Sequence, residues 1–254
     1  ECTSQTMPFN YLGDFTDNRN VLLITPEGGQ IVKTKKYSID ENLIETKSEI
    51  KLLANGDFSG VVEKSSGGVM YGDIYGIKDI SDKDIKSYYK KQFWKLKNLE
   101  LDEIAFENNE TDQKFTERLE IKGTNFGMPA GNKILVPLNI YNLPVENTPR
   151  YTPRKLPLKI LRGKTYIDQS KIIIPEAYKI ESIPAPFLIE NEFGSFQFVS
   201  EIKSDNELII TRTYILKDGV WEKGSYENFK KFMNEINSGN NQKAVISALI
   251  NQSK

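Results

Sequence analysis

Apolar and polar side chains alternate one for one in short stretches along most of this chain, and that pattern restricts the fold more than any other feature. Side chains on a strand point to opposite faces in turn, so such stretches read as strands burying one face. Residues 47–64, KSEIKLLANGDFSGVVEK, read as two strands around Asn55-Gly56-Asp57, with Ile50 and Leu52 on one face. Asn-Gly accepts the positive φ that a tight hairpin turn needs. In residues 115–123, FTERLEIKG, Leu119 and Ile121 point inward while Glu120 and Lys122 point outward. Residues 132–141, 170–180 and 194–203 are further apolar, β-branched or aromatic runs, and residues 206–224 read as a second hairpin around Lys217-Asp218-Gly219.

Three segments depart from the alternation. Residues 81–98 begin with Ser81 and Asp84 at capping-box spacing and place Ile85, Tyr88, Tyr89, Phe93 and Leu96 on one helical face. Residues 225–239 repeat that pattern with Tyr226, Phe229, Met233 and Ile236 and stop at Gly239. A last short helix is expected over residues 241–252. Pro144, Pro149, Pro153 and Pro157 exclude a central strand between them, because proline has no amide hydrogen for the ladder. That segment, residues 144–157, either divides two domains or joins two sheets of one sandwich; β-rich sequence on both sides favours the second. The expected fold class is mainly β: a large antiparallel β-sandwich over residues 31–254, with one inserted helix and one or two C-terminal helices. Residues 1–30 are expected to be an extended arm.

The chain of 254 residues, 38% hydrophobic and 27% charged, is large enough for a substantial core. With Lys+Arg 34 against Asp+Glu 35 it has no global basic field for nucleic acid. No apolar run approaches the roughly 20 residues that span a bilayer. His is 0 and Cys is 1, which removes every imidazole-assisted mechanism, every His ligand and every site built on several thiolates. The opening ECTSQTMPFN, with neither an initiator methionine nor the pattern of a signal peptide, reads as the start of a trimmed chain.

Each candidate site meets a plainer explanation. Cys2 has no histidine to activate it and reads as a small packing residue. Glu190 with Glu192, or Asp102 with Glu103, supplies paired carboxyls, but neighbours in sequence do not face each other across a cleft. Asp14, Asp17 and Asn18 offer oxygen ligands without EF-hand spacing and read as an Asx-rich turn. Lysines interleaved with Tyr88, Tyr89, Phe93 and Trp94 on the 81–98 helix fit a solvated outer face better than a stacking platform for bases. Tyr71, Tyr75 and Trp221 are the candidate sugar-stacking aromatics, although the glycines around Tyr71 and Tyr75 also mark a bend. No metal and no cofactor is expected.

A resemblance enters at the start of the chain. ECTSQTMPFNYLGDFTDNRNVLLITPEGG is similar to the downstream edge of the papain-like core in bacterial transglutaminase-like proteins that carry flanking β-sandwich domains of unknown function. Glu1-Cys2-Thr3 resembles that family's acidic-x-Thr strand end, with Glu1 where the family commonly has the Asp that orients a catalytic imidazole. The family's nucleophilic cysteine and its histidine lie upstream of this point. The resemblance implies a non-catalytic accessory β-sandwich of an exported, periplasmic or extracellular protein, whose partner is the upstream catalytic core; the charge balance and the lack of a long apolar run separately argue against a nucleic-acid partner or a membrane span. The competing expectation is a carbohydrate-binding module that contacts a glycan or peptide through Tyr71, Tyr75 and Trp221.

Overall fold

The computed structural model of the protein describes residues 6–141, 148–150 and 154–249. Glu1, Cys2, Pro144, Pro153 and the end of the expected 241–252 helix lie outside the described residues. Strands β1 (Asn20–Thr25) and β2 (Gly28–Lys33) form the first hairpin, followed by β3 (Leu43–Leu52) and β4 (Phe58–Ser66). Helix α1 (Val69–Ile74), a 3-10 segment (Tyr75–Asp79) and helix α2 (Asp82–Gln92) come next. The long strands β5 (Lys97–Asn109) and β6 (Lys114–Thr124) precede the short β7 (Met128–Ala130) and β8 (Lys133–Pro137). Past the prolines lie β9 (Leu158–Ile160), β10 (Lys164–Ile173), β11 (Tyr178–Ser182), β12 (Phe187–Asn191) and β13 (Gly194–Ser204). β14 (Glu207–Leu216), β15 (Gly219–Trp221), helix α3 (Tyr226–Asn240) and β16 (Lys243–Ala248) complete the order.

The architecture is mainly β, with 49% strand and 17% helix, in several sheets without a barrel. An eight-stranded sheet runs β12-β13-β14-β10-β3-β4-β6-β5, and a four-stranded sheet runs β11-β16-β8-β7. Strands from both sides of the proline-rich segment share the large sheet. They meet where β3 pairs with β10, the one parallel pairing in that sheet among the described residues. One face of the large sheet carries the core: Ile50, Leu52, Phe58, Val62, Phe115, Leu119, Ile121, Ile210 and Tyr214 are buried. Helices α2 and α3 and the inner residues of the small sheet, Ile134, Val136, Ala244 and Ile246, belong to the same core.

Local chemistry explains the elements. The Ser81 hydroxyl accepts the Asp84 amide at 3.2 Å and so caps α2. Ile85, Tyr89 and Phe93 are buried as their spacing requires, but α2 ends at Gln92, and β5 begins at Lys97. The 47–64 hairpin forms as expected, and α3 covers the second helical pattern.

Three expectations need correction. Residues 243–248 form strand β16, not a helix, because β8 and β11 flank it and supply hydrogen bonds on both edges. The 206–224 hairpin does not close: β15 pairs with β9, while β14 lies between β13 and β10. The Lys217 amide donates to the Phe193 carbonyl at 2.8 Å, which ties the end of β14 to the β12–β13 turn instead. Residues 1–30 are not one extended arm, since the hairpin β1–β2 straddles residue 30. Before that hairpin, Tyr11 sits in the core, where its hydroxyl donates to the Val69 carbonyl at 3.2 Å and accepts the Gly72 amide at 2.9 Å.

Candidate interaction surface

The β1–β2 hairpin gathers several of the exposed large apolar side chains among the described residues. Its turn, Thr25-Pro26-Glu27-Gly28, has proline at the second position, where a fixed φ suits it, and Gly28 at φ 122°. The Thr25 hydroxyl donates to the Gly28 carbonyl at 3.0 Å. Below the hairpin, the Asn18 amide donates to the Lys35 carbonyl at 2.8 Å and the Thr34 hydroxyl to the Thr16 carbonyl at 2.7 Å. Arg162 fastens this base to the body through the buried Asp17 carboxylate, with Nε 3.1 Å from both oxygens.

Above that base, β1 and β2 pair with each other and, among the described residues, with no third strand. Leu22 and Ile24 share one face with Ile31, and Val21 and Leu23 share the other with Val32. Leu22 is 60%, Leu23 48%, Ile24 73% and Ile31 71% exposed. Fully burying a Leu or Ile side chain contributes about 1.5–3 kcal/mol, so this ribbon holds a sizeable unused binding potential. A two-stranded hairpin alone is marginal in water, and an aliphatic edge invites pairing.

The outer face of the large sheet has different chemistry. A trough of about 970 Å³ runs across it, lined by Lys47, Glu49, Glu63, Arg118, Glu120 and Lys171 among others. Several of its charges pair locally: Lys171 lies 3.5 Å from Glu49 and 3.1 Å from Glu207, and Arg118 lies 3.2 Å from Glu120. Lys122, on the same face, lies 3.2 Å from Glu100 and 3.0 Å from Asp102. Such balanced exposed pairs make a solvated face and little net field.

The inner face holds a row of charges that the sequence reading missed. Cross-strand register sets Arg212 opposite Asp168, Asp168 beside Thr46, Thr46 opposite Lys64, and Lys64 opposite Glu117. All five are buried. The Lys64 ammonium lies 2.6 Å from Glu117, and the Tyr89 hydroxyl donates to the same carboxylate at 2.6 Å. Arg212 lies 3.4 Å from Asp168 and donates to the Asn240 side chain at 3.3 Å. Burial pushes the Lys64 ammonium down, but the Tyr141, Glu117 and Tyr88 oxygens outweigh it and hold the group above the usual lysine range. Burial also pushes the Tyr141 hydroxyl up to about 12, so it stays protonated. This row has structural chemistry: every ion faces a partner within the fold, and none faces an open cleft. The missed signal was strand parity, since Glu117 shares the inward parity of Leu119 and Ile121, and Arg212 that of Ile210 and Leu208.

The expected site residues do not converge. Tyr71 is 0% and Tyr75 8% exposed, stacked at 5.3 Å on each other inside the core, so their expected surface position is corrected. Helix α1 carries Tyr71 inward, whereas the glycines around it had suggested an open bend. Trp221 is half-buried and packs 5.2 Å from Phe193. Glu190, Glu192, Asp102 and Glu103 are exposed, and Asp102 is held by Lys122. Asp14 is exposed, and Asp17 is committed to Arg162. Tyr89 on α2 and Phe93 just past its end are buried, and Trp94 is exposed. Among the described residues no group of three or more acidic or thiol side chains is placed to hold a metal ion. No helix among them is long and apolar enough to cross a membrane.

No curated protein and no solved structure matches the chain. Residues 132–246 match the model of a family described as a domain of unknown function with a solved structure, DUF3858, a stretch that runs from β8 into β16 and leaves β3 to β6 to the unmatched part of the chain.

Proposed function

We propose that this chain is a non-catalytic accessory module, a β-sandwich that supports or positions a catalytic domain and docks on it through the β1–β2 hairpin. The observation that carries the reading is the hairpin's exposure: Leu22, Leu23, Ile24 and Ile31 present aliphatic surface on both faces of an otherwise unpaired ribbon. A neighbour that covers the ribbon gains that apolar area and closes its edges. The resemblance of residues 1–29 supplies the neighbour, a transglutaminase-like or peptidase-like core in the same parent protein. β1 and the hairpin turn lie within that stretch. An exported, envelope placement in a bacterium follows from the resemblance alone. A chain with His at 0 lacks the imidazole such a core uses, which favours a supporting role.

The carbohydrate-binding reading has less support, because two of its three aromatics are in the core. The test uses the triple substitution Leu22→Lys, Ile24→Lys and Ile31→Lys, made both in this chain and in the full polypeptide of its open reading frame. The thermal midpoint of the 254-residue chain should hold, because these three side chains are 60–73% exposed. The full polypeptide should become protease-sensitive beside the hairpin. Identical cleavage of the substituted and unsubstituted full polypeptide would refute the docking role.

A further inference from the structure

We infer that the pocket between α1, β9 and the start of α3 binds an apolar α-amino acid. Lys164 takes its carboxylate, Asp73 takes its ammonium, and a buried apolar floor takes its side chain. None of the hairpin's exposed side chains takes part, so the site stands independently of the docking role.

The floor makes the first part of the case. The pocket holds about 440 Å³, a size that suits a small organic ligand, and Val69, Met70, Leu158, Leu216 and Phe229 line it. All five are buried members of the core, so packing fixes their positions. They come from both sides of the proline-rich segment. Helix α1 supplies Val69 and Met70, β9 and β14 supply the two leucines, and α3 supplies Phe229. A phenyl ring laid on this floor meets the Phe229 ring and the Met70 thioether, and both attract an aromatic group.

Unpaired groups of both signs at the mouth supply the second part. Lys164 opens β10 opposite Leu216 and has the inward parity of Tyr166 and Asp168, so the strand turns an ammonium toward the pocket. It is half-buried, and no described carboxylate lies within ion-pair distance of it. The Asp73 carboxylate, on the last turn of α1, likewise has neither an ion pair nor a hydrogen bond among the described residues. Partial desolvation holds this carboxyl above its usual range; Lys164 opposes that shift and Asp14, exposed at the rim, adds to it. A carboxylate in this setting gains from a cation placed against it. The other cations are engaged or turned away. Arg162 holds Asp17, and Arg154 donates to the Leu156 and Pro157 carbonyls at 3.0 and 3.2 Å. Lys159 has the outward parity of β9. An ammonium and a carboxylate left unpaired above an apolar floor match the two charges and the side chain that an α-amino acid carries on one carbon.

The experiment titrates L-phenylalanine, hydrocinnamate and phenethylamine into the full chain with isotope-labelled methionine methyl groups, followed by NMR. Hydrocinnamate lacks the ammonium and phenethylamine lacks the carboxylate. Phenylalanine should bind with a dissociation constant of about 1 mM or tighter, modest for a ligand of its size. Its ring current should move the Met70 methyl and leave the Met128 methyl, on β7, in place. Each analogue should bind about tenfold more weakly, the equivalent of one hydrogen bond to a charged group. Lys164→Met should weaken phenylalanine about tenfold and leave phenethylamine unchanged, and Asp73→Asn should weaken it as much and leave hydrocinnamate unchanged. The three-ligand comparison on the natural chain decides the matter even if a variant fails to fold. An unmoved Met70 methyl at about 10 mM phenylalanine overturns the inference. So does an analogue that binds as tightly as phenylalanine, or a folded variant that binds phenylalanine as the natural chain does.

Discussion

Lys64 Nζ and Glu117 Oε2 lie 2.6 Å apart, with side chains 7% and 1% exposed, in an ion pair fixed by the register of β4 against β6. The Tyr89 hydroxyl donates to Glu117, and Lys64 donates to the Tyr141 hydroxyl at 3.2 Å, so the pair is hydrogen-bonded as well as neutralised. Removing one member leaves the other charge buried and unpaired. Lys64→Met or Glu117→Leu alone should lower stability by about 3–5 kcal/mol in urea titrations, whereas the double substitution should cost far less than the sum. Additive losses would mean that the two groups do not depend on each other.

Acid should weaken a second, exposed arrangement. The Ser38 amide donates to Glu41 Oε2 at 2.7 Å, the Glu41 amide donates to Ser38 Oγ at 3.2 Å, and Lys35 lies 2.7 Å from the same carboxylate. Lys35 first, and then the Ser38 amide, hold this carboxyl below its usual 4.5. The folded state therefore favours the charged form. Its contribution is present above pH 4.5 and disappears as pH falls through the lower folded value. Glu41 is 43% exposed, so screening limits the effect to about 1 kcal/mol or less. The stability gap between the natural chain and Glu41→Gln, measured by chemical denaturation, should close on acidification; a constant gap would contradict the assignment.

Gly194 tests the β12–β13 turn. Its φ is 150°, and a Cβ there would lie 1.9 Å from the Ile215 carbonyl oxygen on the neighbouring strand. Gly194→Ala should destabilise by about 3 kcal/mol, since backbone and not a flexible side chain must yield. Gly76 has open space around it, so Gly76→Ala should be neutral or stabilise by about 0.4–1 kcal/mol. Thermal melts of the two variants side by side check the contrast.

The legible parts of the fold were those whose cause is local. Asn55-Gly56 marked its hairpin, Ser81 marked the start of α2, and the spacing of Tyr226, Phe229, Met233 and Ile236 marked α3. Residues 243–248 misled because a short apolar run fits a strand or a buried helix equally, and its partners β8 and β11 are distant in sequence. Asp218-Gly219 carried a hairpin signal that tertiary pairing overrode, since β9 captures β15. The charge row depends on the register of five strands, and no window of sequence contains it. The hairpin at residues 20–33 was hidden for another reason. Residues 1–30 read as an extended arm, and only the fold shows that β1 and β2 pair with Leu22, Ile24 and Ile31 left exposed.

Amide hydrogen exchange at residues 21–24 and 30–32 tests the docking role most directly, compared between this chain and the full polypeptide of its open reading frame. Docking predicts exchange at least about tenfold slower in the full polypeptide, as expected for edges newly protected by a neighbour. Equal rates in the two proteins would contradict it.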